Sequence, residues 1–490
     1  MEEGNRLSIR GALLWSFAER YTSLIATVAS TMILARLLTP AQVGVFSLCA
    51  AVAAVASILR DFGISEYLIQ EKQLTREKLQ AAMALAMITA WSIAAGILLC
   101  RTAIANYYAE PGVSEVLAVL CINFFILPFG SPAFALLNRE LAFRKVYAVQ
   151  TISGLASAIT SVSLAYLGHG FMSLAWGTVV NISCQNVILA FLRPRDSFVM
   201  PNLKEARSVL RYGSMYVASR VIETISNNSH EFIIAKKLGF ETVGLFSRAL
   251  GLLELFYTNF TSAILRVTTP IFASDHRVGG DLHARYATST AMITVIAWPF
   301  YGYVALMAND IISVLFGHQW AFAAPIASVL ALTRLPGNLT TLGPSFLAAT
   351  GHVKKRLKLT LISAPVHIIA VLIASHWGPV AIAAAFGLSS LVSVSIYLKL
   401  LPRLMNCRIS QLFAGSGKSL VVAVVCVAAQ FVAQEVCHAN QLNSPVSLVI
   451  VGLLAAISWL IAISILKHDM YFELLRLRDF KSSILGRRNT

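Results

Sequence analysis

Residues 33–48 read ILARLLTPAQVGVFSL, and residues 233–248 read IIAKKLGFETVGLFSR. The two stretches align at an offset of 200 without a gap. Over 18–47 against 218–247, Ala18, Arg20, Ile25, Ile33, Ala35, Leu38, Val43, Gly44, Phe46 and Ser47 recur, which is 10 of 30 positions. A weaker match at offset 210 pairs LLNRELAFRKVYAVQTI (136–152) with FLAATGHVKKRLKLTLI (346–362). A chain that repeats over about 200 residues is built from two copies of one unit, so the content of one copy decides the fold of both.

That content is apolar. Of 490 residues, 57% are hydrophobic and 13% charged, with a mean hydropathy of +0.71. An ordinary soluble domain carries about 25% charged residues. Half that share cannot cover a water-facing surface, so a soluble multidomain enzyme is excluded, and disorder with it. Strands of a membrane β-barrel alternate and never give ~20-residue apolar runs, which this chain has throughout. Helices are forced, because only they satisfy their own backbone in lipid.

Fourteen segments are long enough to cross a bilayer: 12–35, 42–59, 80–100, 115–137, 147–167 and 171–192, then 209–235, 243–265, 286–308, 320–347, 359–375 and 377–398, and last 418–434 and 446–466. Short connections, LGHG (167–170) and SHWG (375–378), predict tight antiparallel hairpins. The first run is read as a retained span, since no small-residue cleavage site follows it. The expected architecture is an all-α polytopic membrane protein of 14 transmembrane helices. An N-lobe (1–200, spans 1–6) and a C-lobe (201–405, spans 7–12) are followed by spans 13–14 and a cytoplasmic tail (406–490). Six is even, so the two six-helix lobes run parallel, related by an axis along the membrane normal. Parallel repeats of this sort are a transporter architecture, with substrate held between the lobes.

The net charge of +16 carries orientation. With the N-terminus cytoplasmic, the inward segments hold 31 of the 39 Lys and Arg residues, the outward loops hold only Arg36, Arg101, Lys236 and Lys237, and four lie inside spans. That asymmetry places both termini in the cytoplasm. It leaves no reason to invoke nucleic acid as a partner.

The four intramembrane arginines are Arg20, Arg220, Arg248 and Arg334, accompanied by Glu19, Glu223, Glu231 and Glu254. A charge at mid-bilayer costs ~2.5–3.5 kcal/mol on insertion scales, so it faces a cavity or a partner. On span 7, Tyr216, Arg220, Glu223, Asn227 and Glu231 step by 4, 3, 4 and 4. At ~100° per residue they share a stripe of about 80°. Span 1 carries Ser16, Arg20, Ser23, Thr27 and Thr31 at the same spacing and the same repeat positions. The bland reading is that Arg220 staples to Glu223 locally. The functional reading is a wet cavity. Arginine suits a phosphate or carboxylate ligand through its forked donors. Arg20, Arg220, Arg248, Arg334, Tyr216 and Asn227 are therefore candidates for substrate binding. Four arginines against four glutamates sum to zero, so some glutamates must be neutral or turned away. Glu223, Glu231 and Glu254 are the candidates for ion coupling. Spans 4 and 10 are interrupted at ILPFGSP (126–132) and at RLPGN (334–338) with LGP (342–344), in related places of the two halves.

Other motifs are set aside. AGSGKS (414–419) ends like a phosphate-binding loop, but Leu412 stands where its first glycine belongs, and it is read as a loop capping span 13. The sequons at Asn181, Asn227, Asn259 and Asn338 fall in spans. The seven cysteines, Cys49, Cys100, Cys121, Cys184, Cys407, Cys426 and Cys437, lack metal or disulfide spacing and are read as small hydrophobes. No metal, cofactor or catalytic residue is expected, and the outward loops are too short for an enzyme domain.

ARLLTPAQVGVFSL (35–48), DFGISEYLIQEK (61–72) and NRELAFRK (138–145) resemble the polysaccharide-transporter branch of the MOP exporter superfamily, the Wzx-type flippases. The resemblance covers about residues 10–400. It implies a V-shaped pair of six-helix lobes that work by alternating access in the bacterial inner membrane. It implies a substrate of undecaprenyl-pyrophosphate-linked oligosaccharide, carried from the cytoplasmic to the periplasmic leaflet for exopolysaccharide, O-antigen or capsule synthesis. A polymerase and chain-length or export proteins of the same pathway are the implied partners. In the related lipid II flippases, cavity arginines are thought to hold the pyrophosphate, and Arg20 and Arg220 are the matching kinds of position. Spans 13 and 14 are implied to shape a lipid groove. The alternative within the superfamily is a multidrug or small-molecule exporter, against which the stripe arginines argue.

Overall fold

The computed structural model describes residues 24–61, 63–71, 74–140, 142–193 and 200–476, without the side chains of 66, 70, 143 and 207–219. Among these residues the chain is helical with no strand. It divides into two compact units, Met1–Gly244 and Leu245–Thr490.

The first unit holds α1 (Leu24–Leu37), α2 (Pro40–Asp61), α3 (Ile64–Gln70), α4 (Arg76–Tyr108), α5 (Pro111–Ile126), α6 (Ser131–Arg139), α7 (Phe143–Tyr166), α8 (Met172–Leu192) and α9 (Ala206–Lys237). It also takes the first turn of α10 (Gly239–Phe256). Local chemistry sets the ends. The Thr75 hydroxyl accepts from the Lys78 N–H at the start of α4, and the Glu110 carboxylate accepts from the Gly112 N–H at the start of α5, whose first residue is Pro111. Gly168 and Gly170 take φ of +86° and +53° to close the predicted α7–α8 hairpin. Small residues let the helices approach, with Ala90 and Ala94 of α4 buried against Ala56, Cys121 and Phe124.

The repeated sequence meets itself inside this unit. A Cβ added to Gly44 would stand 1.8 Å from the Phe240 carbonyl oxygen, and one added to Gly244 would stand 1.9 Å from that of Pro40. Pro40 and Phe240, like Gly44 and Gly244, are 200 positions apart, so the crossing is reciprocal. Beside it, the Lys236 ammonium donates to the Tyr107 carbonyl and lies 4.2 Å from the centre of the Tyr107 ring.

The second unit holds the rest of α10, a π-helical turn (Tyr257–Thr261), α11 (Ser262–Val278), α12 (Leu282–Leu315), α13 (Ala323–Gly337), α14 (Gly343–Ala349), α15 (Val353–Ala374), α16 (Pro379–Met405), α17 (Ile409–Leu412), α18 (Ala414–Ala439) and α19 (Ser444–Ile465). Its axis is α12, buried along most of its length. Pro299 has no N–H, so the Val295 carbonyl one turn back loses its helix partner. The indole N–H of Trp459, from α19, donates to that carbonyl at 2.8 Å. Gln434 of α18 reaches the Leu306 carbonyl, the Tyr303 hydroxyl donates to Leu448, and Ser444 donates to Asp310. The last two helices are thus stitched to α12 by side chains, while their other faces expose Leu420, Val424, Val449, Leu453 and Leu460.

Both predicted interruptions are present. After α5 a 3-10 turn runs Leu127–Phe129, and the Gly130 N–H bonds Leu127 rather than Ile126. The freed Ile126 carbonyl accepts from the Asn186 amide of α8, which packs where a Gly130 side chain would be. After α13 the Leu339 N–H bonds Pro336, and the freed Leu335 carbonyl accepts from the Trp298 indole at 2.9 Å. In both halves a neighbouring helix satisfies the broken ladder, as lipid requires.

Ten of the described helices are long and apolar enough to cross a membrane. The remaining four segments of the sequence-based set differ for visible reasons. The first begins outside the described residues, α9 carries the polar stripe, α10 continues through the π turn into α11, and 320–347 is divided between α13 and α14. One expectation is corrected. Residues 414–419 are not a loop but the first turns of α18, drawn into the helix because Gly415 sits against the Ala291 methyl and Ser419 donates to the Ala291 carbonyl. Of the seven cysteines, all free, Cys49, Cys121, Cys426 and Cys437 are buried and Cys100 is exposed.

Candidate substrate-binding site

The predicted residues fall into two groups, one on each unit. Arg20, with Glu19, lies outside the described residues, as does the side chain of Tyr216.

On the first unit, α9 presents Arg220 and Glu223 half-buried, Asn227 exposed and Glu231 buried. Its small polar side chains fold back onto their own helix. Ser229 donates to the Ser226 carbonyl at 2.7 Å and Asn228 to that of Thr224 at 2.8 Å. This lets a polar helix pack among apolar neighbours. Glu231 differs. One carboxylate oxygen lies 3.6 Å from Nε2 of His230, also buried, and the other has no hydrogen-bond partner. A buried carboxylate with an orphan oxygen is a costly arrangement that a proton or a cation would complete. His230 escaped the sequence reading because it lies one residue off the stripe.

On the second unit, Arg334 Nη2 pairs with Glu254 Oε1 at 2.8 Å, joining α13 to α10. The pair stands next to the α13 break, and the Asn338 amide donates to the Arg334 carbonyl at 3.1 Å. Behind Glu254, the rings of Phe256 and Phe300 stack with centres 4.4 Å apart, and Tyr301 packs edge-on to both. Arg248, further back on α10, is held differently. Its guanidinium lies over the faces of Trp320 at 5.4 Å and Phe316 at 5.8 Å, at the end of α12 and in the turn that follows. Its Nε is buried without a hydrogen-bond partner, and among the described residues no carboxylate lies within ion-pair distance of it. The aromatic floor keeps the cation in place without neutralising it. Trp320 and Phe316 were invisible in the sequence, since nothing in FGHQW (316–320) distinguishes them from any outward turn.

The three second-unit charges thus resolve into one neutral pair, Arg334–Glu254, and one uncompensated cation, Arg248. Among the described residues no group of three His, Cys, Asp or Glu side chains is placed to hold a metal ion.

A family model described as "Polysaccharide biosynthesis protein" matches residues 33–325. The lipopolysaccharide biosynthesis protein WzxC of Escherichia coli K12 is 22% identical over 334 residues, covering 67% of each chain. The succinoglycan biosynthesis transport protein ExoT of Rhizobium meliloti is 24% identical over 327 residues, covering 65% of each. Among solved structures, the lipid II flippase MurJ in an inward closed conformation superposes with a TM-score of 0.74 at 14% identity, over 94% of this chain and 100% of that one. At that identity the likeness speaks for the fold.

Proposed function

This chain belongs to the polysaccharide biosynthesis protein family, and from that premise we propose that it flips an undecaprenyl-pyrophosphate-linked oligosaccharide from the cytoplasmic to the periplasmic leaflet by alternating access. The observation that carries the reading is the family match over residues 33–325 on a fold like that of a lipid II flippase. Fourteen spans, with both termini cytoplasmic, are the topology proposed for it. The distribution of Lys and Arg supports this orientation.

Arg248 is proposed to meet the pyrophosphate. It is a desolvated, donor-rich cation with no carboxylate beside it, which is what an anionic head group requires. Arg20 and Arg220, with Tyr216 and Asn227, are proposed to serve the same lipid from the stripes of spans 1 and 7. Glu231 is the first choice for coupling to a proton or cation, because its orphan oxygen lacks a partner. Glu223 stands second. An inside-negative potential favours outward movement of two negative charges by ~2.3 kcal/mol per charge per 100 mV.

The test is polymer export in the native host. Arg248→Ala and Arg220→Ala should each abolish export at normal expression and unchanged melting midpoint, and Arg248→Lys should recover only part of it. Retained export in both alanine variants would overturn the assignment. A deletion strain that makes normal polymer but is hypersensitive to cationic drugs would point to a small-molecule exporter.

A further inference from the structure

The Arg334–Glu254 pair is half-exposed, with 33% and 47% of its side-chain surface open. A charged pair in the middle of apolar helices does not face acyl chains. It therefore faces water. It cannot serve the pyrophosphate, because the carboxylate repels an anion and the pair has no net charge to offer. What it does present is a fixed array of guanidinium N–H donors beside carboxylate acceptors. Each hydroxyl of a sugar is both a donor and an acceptor, so two adjacent hydroxyls can engage such an array at once.

An aromatic surface adjoins it. Three residues past Glu254, the helix widens into the π turn Tyr257–Thr261. Such insertions reset which side chains share a face and occur often at functional sites. Tyr257 is 38% exposed and Phe260 52% exposed. Tyr257 opens that turn about one helical turn beyond Glu254, and Phe256 between them packs edge-on against the Tyr301 ring at 5.4 Å. Phe260 of the π turn stacks on Phe256 with ring centres 5.1 Å apart, and Phe256 stacks in turn on Phe300, so the π turn is packed against the aromatic cluster. An aromatic face carries partial negative charge and suits the C–H face of a pyranose ring.

We infer that Glu254, Arg334 and Tyr257 form a saccharide cradle that binds the first sugars of the lipid-linked substrate, separate from the cation that meets its pyrophosphate. This inference rests on the flippase reading and deepens it. It turns Arg334 and Glu254 from a phosphate contact and a coupling group into the residues that read the glycan.

The purified full-length protein in lipid nanodiscs is titrated with two probes: sugar-free undecaprenyl pyrophosphate, and the saccharide-bearing lipid extracted from membranes of the native host. Tyr257→Ala should weaken binding of the saccharide-bearing lipid about tenfold and leave that of the sugar-free lipid unchanged, and Glu254→Gln, which also frees the Arg334 charge, should lower the ratio of saccharide-bearing to sugar-free affinity about tenfold. Tyr257→Phe, which keeps the ring, should bind both as the wild type does. Melting midpoints are read for every variant, and Glu254→Gln decides the matter if Tyr257→Ala does not fold. Equal losses for both probes, or no loss for either, would overturn the cradle while leaving the flippase reading intact. Failure of the wild type to bind either lipid would overturn the flippase reading, and the cradle with it.

Discussion

Alanine at Gly44 places a methyl group 1.8 Å from the Phe240 carbonyl oxygen and 2.7 Å from its carbon. Ordinary contact begins at 3.4 Å, so α2 must draw back from the α9–α10 turn by about 1.5 Å. Neither obstacle can yield alone, since both are backbone. Overpacking of this kind costs about 1–3 kcal/mol. In a unit of some 240 residues each kcal/mol lowers the melting midpoint by about 2–4 °C. Gly44→Ala should therefore melt several degrees below the wild type in detergent, and Gly244→Ala, facing the Pro40 carbonyl at 1.9 Å, should match it. The two glycines are halves of one contact. Once either methyl has parted the helices, the second enters space already opened, so the double variant should cost well under the sum of the singles. Gly154→Ala and Gly251→Ala are the controls, because nothing lies within 4 Å of a Cβ at either position. Both should hold or raise the midpoint, by the ~0.5–1 kcal/mol that alanine gains over glycine in a helix. An unchanged midpoint for Gly44→Ala, or strict additivity in the double variant, would refute the reciprocal crossing.

Three further outcomes follow from the same bonds. Trp459→Phe should cost about 1–3 kcal/mol by orphaning the Val295 carbonyl, but much less beside Pro299→Ala, whose restored N–H takes that carbonyl; equal costs in both backgrounds, measured by denaturation, would count against the stitch. Asn186→Ala should destabilise by a similar amount through the freed Ile126 carbonyl, and Gly130→Ala should do so as well, because its methyl would stand 1.9 Å from the Asn186 side-chain oxygen. His468, just past α19, accepts from the Met470 N–H at Nδ1, and its Nε2 lies 3.1 Å from the Ser419 hydroxyl, so it is neutral with the proton on Nε2. Burial pushes its pKa below the usual histidine value, aided by Lys418 and opposed by Asp469. A depressed histidine stabilises fully above the unfolded pKa of ~6.5 and loses that stability as pH falls below it. The melting midpoint should thus drop between pH 7 and 5, and His468→Gln should flatten the slope; an identical slope in the variant would remove His468 as its source.

The repeat was legible because duplication leaves its mark in residue identity, and Gly44 and Gly244 were among the ten conserved pairs without any hint that they touch. The interruptions at 126–132 and 334–344 were legible because proline and glycine act locally, whatever surrounds them. Asn186 and Trp298, which repair those breaks, were not, since an acceptor freed in one helix says nothing about which distant side chain will reach it. The polar stripe of α9 follows from helical spacing, which treats Asn227 and Glu231 alike, whereas packing exposes one and buries the other.

Composition and the length of the apolar runs by themselves determined an all-helical membrane chain, because the cost of backbone and charge in lipid acts on every residue independently of its neighbours, and residue identity at offset 200 marked its doubled unit. Only the tertiary structure decided which charges matter. Arg248 and Arg334 are the same residue type in the same kind of helix. One rests on Trp320 and Phe316 and keeps its charge, while the other is cancelled by Glu254. That difference lies in side chains 68 to 80 positions away along the chain, and no local pattern encodes it.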